Sequence, residues 1–142
     1  MGKKTDQQII INAANFFESE DVVQFAYLFG SKVEEGRSGP LSDFDFAVYL
    51  KDHVDFLNTR LRLMGALAQK IQTERFDLII LNEAPLVFCY QVIQNFVILK
   101  EDKQLRIIFE ERVLRSYLDT IPLRATHYKY LKESLLEKVV HG

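Results

Sequence analysis

Residues 25–50 read FAYLFGSKVEEGRSGPLSDFDFAVYL, and the fold turns on this stretch. Val22 to Phe29 is an almost continuous apolar run, the pattern of a strand buried on both faces, and it ends at Gly30-Ser31. Lys32 to Ser42 then carries two glycines, one proline and four charges, so it reads as a loop with room for a helical turn after Ser31. Asp43 to Leu50 is a second strand. Side chains alternate along a strand, so Asp43 and Asp45 share one face while Phe44, Phe46 and Val48 point to the other, where a core can take them.

Two carboxylates side by side repel each other, and a divalent cation relieves that repulsion. Mg²⁺ favours one or two carboxylates plus substrate phosphates. Gly30 permits close backbone approach, and the Ser31 hydroxyl supplies a donor for phosphate oxygens. A third acid, Asp77, interrupts the apolar run RFDLIIL of residues 75–81, a third strand that could lie beside the second. Three carboxylates and a Gly-Ser turn suit nucleotidyl transfer, in which two metal ions about 3.5–4 Å apart clamp the attacking and leaving oxygens. Asp43 and Asp45 would bridge both ions, and Asp77 would hold the catalytic one and help to remove the hydroxyl proton. Lys32 and Arg37 could neutralise triphosphate charge.

Each residue also has a plainer reading. Asp43 and Asp45 would then be a solvent-facing strand start, and Asp77 a buried acid paired with Arg75 or Lys32. Ser31 would be an ordinary helix cap, and Lys32 and Arg37 solvated loop residues. Nothing matches the Walker A pattern G-x-x-x-x-G-K-[ST].

Working outward, Thr5 and Gln8 fit a capping box that opens a helix with Ile9, Ala13, Phe16 and Phe17 inward. Leu57, Leu61, Met64, Ala68 and Ile71 repeat at helical spacing, which predicts an amphipathic helix over about 53–73. Pro85 suits the first turn of a further helix running to about Asn95, and Val97 to Leu99 a short strand. From Lys103 the pattern is helical to the end, with a break or kink near Pro122. Leu105, Ile108, Phe109, Val113 and Leu114 form one stripe, expected to cover the sheet. Tyr128, Leu131, Leu135 and Val139 form another, which could cover the sheet or pack on a partner. The order predicts an α+β fold: a small mixed sheet flanked by helices, with a helical C-terminal tail. We expect a single domain over 1–142, its core about 1–102 and its tail about 103–142.

The 142 residues are 48% hydrophobic and 27% charged, a globular balance, with a net charge of -2 that argues against bulk electrostatic capture of nucleic acid. The single cysteine, Cys89, excludes an internal disulfide and a Cys-based zinc site, and reads as a small buried hydrophobe. His53, His127 and His141 show no ligand spacing. No apolar run reaches the roughly 18 residues of a spanning helix, and MGKKTDQQ lacks a signal-peptide core. A cytoplasmic location is expected.

Gly30-Ser31, the loop and Asp43-Phe44-Asp45 resemble the signature of the DNA polymerase β-like nucleotidyltransferase superfamily, with Asp77 as its third acid. The chain's size, its C-terminal tail and the run RFDLIIL resemble the minimal nucleotidyltransferase (MNT) branch, and more closely the MntA-type antitoxins that pair with HEPN-domain toxins. The loop is one residue longer than is common in the family, and Lys32 stands where an arginine is frequent. The resemblance implies a Mg²⁺-dependent protein adenylyltransferase that moves AMP from ATP to a tyrosine of a HEPN ribonuclease, usually encoded next door, and silences it. A hetero-oligomer of the two would follow. It also leaves open an antitoxin that acts by binding alone, and a small-molecule nucleotidyltransferase of the aminoglycoside-modifying kind. The latter would need an acceptor pocket for which so short a chain has little room.

Overall fold

The computed structural model describes residues 5–34 and 43–141, with side chains through 138. Its elements are α1 (Asp6–Ser19), β1 (Val23–Phe29), a short 3₁₀ turn (Gly30–Lys32), β2 (Phe44–Leu50), α2 (Phe56–Ile71), β3 (Phe76–Ile80), α3 (Leu86–Val92), β4 (Phe96–Lys100), α4 (Lys103–Asp119) and α5 (Ile121–His141). Arg37 lies outside the described residues, and so does most of the loop that carries it.

The four strands form one mixed sheet in the order β3-β2-β1-β4. β1 runs antiparallel to both β2 and β4, whereas β2 and β3 are parallel. The parallel pair follows from α2, because a strand that returns through a helix re-enters the sheet in the same direction. Both faces are covered. Phe44, Phe46, Val48, Ala26, Leu28 and Leu78 pack with α1 and α2 on one side. Phe25, Tyr27 and Ala47 pack with Cys89, Phe109 and Val113 of α3 and α4 on the other.

Local chemistry sets the helix ends. The Thr5 hydroxyl accepts from the Gln8 N–H at 3.2 Å and opens α1, whose buried side chains are Ile9, Ala13, Phe16 and Phe17, as the capping box predicts. Asp55 caps α2 through the Asn58 N–H at 3.1 Å, and Gln72, at φ 58°, ends it in the left-handed conformation. Asp102 caps α4 through the Leu105 N–H at 3.2 Å. Thr120 separates α4 from α5, and Pro122 sits in the first turn of α5, where its missing N–H costs no helical bond.

Two predicted stripes are rotated. In α2 the buried residues are Leu63, Leu67 and Ile71, with Met64 partly buried, while Leu57 and Leu61 stay 64% and 56% exposed. The apolar residues of α2 cover more than one face, so spacing alone admits two registers, and packing against α1 and the sheet selects the second. In α4, Leu105, Phe109 and Val113 turn to the sheet, but Ile108 and Leu114 remain exposed. In α5, Tyr128, Leu131 and Leu135 are all exposed, so this stripe does not cover the sheet. α3 is shorter than expected and begins after Pro85.

Burial on α2 sets the cost of truncation. Leu67→Ala should lose about 2–5 kcal/mol of stability, and Leu61→Ala no more than about 0.5 kcal/mol. Equilibrium urea unfolding measures both, and equal losses would refute the observed face of α2.

Candidate active site

The acids meet because of strand register. Asp45 pairs with Asp77 across the parallel β2–β3 ladder and with Phe29 across the antiparallel β1–β2 ladder. The end of β1, the start of β2 and the start of β3 therefore lie at one end of the sheet. Asp45 shares its face with Ala47, and Asp77 shares the same face with Ile79. Asp43, just before β2, projects one pleat further out.

Gly30 closes the site on the β1 side. Its φ is +81°, which L side chains rarely adopt, and a Cβ there would stand 2.3 Å from Asp45 Oδ2. The turn that follows is held by the Val33 and Glu34 N–H groups, which donate to the Gly30 carbonyl at 3.0 and 3.2 Å. Ser31 is half-buried within this turn.

The outer acids are each held by an arginine. Arg75 Nε donates to Asp43 Oδ1 at 3.2 Å. Arg60 Nη2 donates to Asp77 Oδ1 at 3.3 Å, while Arg60 Nε donates to the Leu78 carbonyl at 2.8 Å. The central acid is different. Burial, then the charge of Asp77, then that of Asp43 push the Asp45 carboxyl above its usual range. Three carboxylates whose charges disfavour one another, beside a glycine that leaves Asp45 uncovered, form a donor set that fits a divalent cation. Among the described residues no three acids, histidines or cysteines stand closed around an ion position.

Two expectations about partners change. Asp77 is not a buried acid: its side chain is 53% exposed, and its partner is Arg60 instead of Arg75 or Lys32. Lys32 turns towards α1, where Nζ donates to Asp6 Oδ2 at 2.9 Å and lies 4.9 Å from the centre of the Phe44 ring. Arg60 was invisible in the sequence, because it sits on a helix and meets Asp77 only through folding.

The sequence pattern of the polymerase β nucleotidyltransferase family matches residues 12–104. The chain belongs to this family. That span contains Gly30, Ser31 and all three acids of this nucleotidyltransferase. A comparison with curated proteins finds no sequence match. Among solved structures, a toxin–antitoxin complex with AMP-PNP aligns with a TM-score of 0.62 at 25% identity, over 96% of this chain and 99% of that one. The complex of the tri-AMPylated Shewanella oneidensis HEPN toxin with its MNT antitoxin aligns with a TM-score of 0.60 at 24% identity, over 94% and 98%. An MntA–HepT complex gives 0.61 at 23% identity, over 95% and 99%. The last two are similar to the nucleotidyltransferase in fold.

The raised affinity of Asp45 for a proton predicts a pH-dependent stability. The folded chain binds this proton more tightly than the unfolded chain, so folding is favoured below the usual carboxylate range and weakens as pH rises through the raised value. In chelator at neutral pH, Asp45→Asn should therefore melt above the parent protein, and the gain should vanish at acid pH. Gly30→Ala should melt below it at every pH. Scanning calorimetry across the pH range checks the order, and a lower melting point for Asp45→Asn at neutral pH would refute it.

Proposed function

We propose that this nucleotidyltransferase is an antitoxin that transfers AMP from ATP to a tyrosine of a HEPN-type ribonuclease. The observation that carries the proposal is the registered pair Asp45–Asp77, joined by Asp43 and closed by Gly30, in a chain alike over nearly its whole length to a chain of a toxin–antitoxin complex with AMP-PNP. The described residues form one sheet with its flanking helices and no separate acceptor-binding domain. Docking of a protein partner supplies the orientation that such a domain otherwise would.

In this reading the Gly30-Ser31 turn takes the triphosphate, with the missing Cβ giving approach and the Ser31 hydroxyl donating to a phosphate oxygen. Asp43, Asp45 and Asp77 would hold Mg²⁺. When bound, two such ions supply charge compensation for the triphosphate and the leaving pyrophosphate. Asp77, more open than Asp45, accepts the proton of the attacking tyrosine hydroxyl. The tyrosine oxygen forms a bond to the α-phosphorus, the bond to the bridging oxygen breaks, and pyrophosphate leaves. Lys32, tied to Asp6, acts mainly by ordering the turn.

Each AMP adds a negative phosphate to the toxin, which would repel RNA. The partner is encoded beside this chain, and the two form a hetero-oligomer. No helix among the described residues is long and apolar enough to cross a membrane. We place the protein in the cytoplasm, where ATP and the ribonuclease's RNA are found.

The Asp43→Asn, Asp45→Asn double variant separates catalysis from binding. It should bind the toxin as the parent does, add no AMP by mass spectrometry, and fail to restore growth of cells expressing the toxin. Full rescue at matched abundance would mean that inhibition is by contact alone.

A further inference from the structure

We infer that a groove beside Asp77, between the start of α2 and α3, is the acceptor subsite and receives the phenol ring of the tyrosine to be modified. This rests on the transferase reading above and adds where the acceptor binds. The groove holds about 350 Å³ and is lined by Leu57, Arg60, Ile79, Glu83, Pro85 and Phe88. That is near the lower end of the ~300–1,000 Å³ typical of small-ligand sites.

Direction comes from the order of the strands. In an in-line displacement the attacking oxygen lies opposite the leaving group. Gly30-Ser31 lies on the β1 side of Asp45, and Asp77 lies on the β3 side. A triphosphate seated at Gly30-Ser31 therefore calls for an attacking hydroxyl from the β3 side. The groove is there: Arg60 both lines it and donates to Asp77, and Ile79 shares a β3 face with Asp77. Phe88 packs on Phe29, with ring centres 5.8 Å apart, and so joins the groove wall to the residue before Gly30.

The lining selects the chemistry. Leu57, Ile79, Pro85 and Phe88 offer apolar contact to a ring, and the polar lining is Glu83 and Arg60, the latter donating to Asp77. A phenol has this arrangement, an apolar body with one hydroxyl at its tip. The 64% exposure of Leu57 leaves the mouth open to a segment of a second protein. In the reaction the phenolic proton passes to Asp77, the tyrosine oxygen bonds the α-phosphorus, and pyrophosphate departs.

The test uses the full chain with AMP-PNP and N-acetyltyrosinamide as the probe. Titration followed by amide NMR should move the signals of Leu57, Arg60, Ile79 and Phe88, and Leu57→Glu should weaken the probe's binding about tenfold. Leu61→Glu, also exposed on α2 but outside the groove, should bind it like the parent. The AMP-PNP affinity should be the same in all three proteins. Shifts on another face, no shifts at millimolar probe, or shifts of the groove by AMP-PNP alone would overturn the assignment. Transfer to the HEPN toxin is scored separately. An unchanged acceptor KM in Leu57→Glu, with transfer intact, would overturn the groove and leave the transferase reading standing, whereas absence of transfer by the parent protein would defeat the transferase reading itself.

Discussion

The parallel pairing of β2 with β3 is the constraint on which the site depends. It sets Asp45 opposite Asp77 at the end of the sheet where both strands begin. Were β3 antiparallel, Asp77 would lie near the far end of β2, and Asp43 and Asp45 would lack a third acid. The direction is imposed by α2, whose buried Leu63, Leu67 and Ile71 carry the chain back across the sheet. Core packing of a helix and placement of a carboxylate are thus one event.

The charges at that end are unevenly compensated. Asp43 and Asp77 have Arg75 and Arg60, at 3.2 and 3.3 Å. Both pairs are well exposed and contribute little to stability. They place one cation beside each outer acid. Asp45 itself feels burial and two like charges, all of which disfavour its ionised form. A cation held there would reverse that balance. Gly30 serves the same end, because any side chain there would collide with Asp45.

Polar contacts add to the apolar packing of α4, and the C-terminal helices leave apolar surface outside. The Tyr27 hydroxyl donates to Glu110 at 2.7 Å, and Arg106 bridges Glu110 and Glu101, which fixes α4 on the sheet. Burial and the Glu110 carboxylate push the Tyr27 phenol far above its usual range, so it remains a donor at any working pH. At the next joint Tyr90 stacks on Tyr117, and Arg124 lies 3.9 Å above the Tyr117 ring. Beyond this joint, Leu123, Tyr128 and Leu135 of α5 stay exposed. Such a face suits a chain that works on another protein.

Much of this was legible in the chain itself. Alternation in 43–50 assigned Asp43 and Asp45 to one face, the run 22–29 marked a buried strand, and Thr5 with Gln8 marked the start of α1. These readings rest on local periodicity, which residues carry regardless of their surroundings. The stripe of α2 failed because leucines at 57, 61, 63 and 67 satisfy two registers, and only the neighbours of the helix choose between them. Sequence by itself determined the strands, the acids and the glycine turn. Tertiary structure alone decided that Asp77 faces Asp45, that Arg60 pairs with Asp77, and that Lys32 turns to Asp6. The reason is physical: each of these joins residues from different elements, and such contacts exist only once strand direction and helix packing have been set.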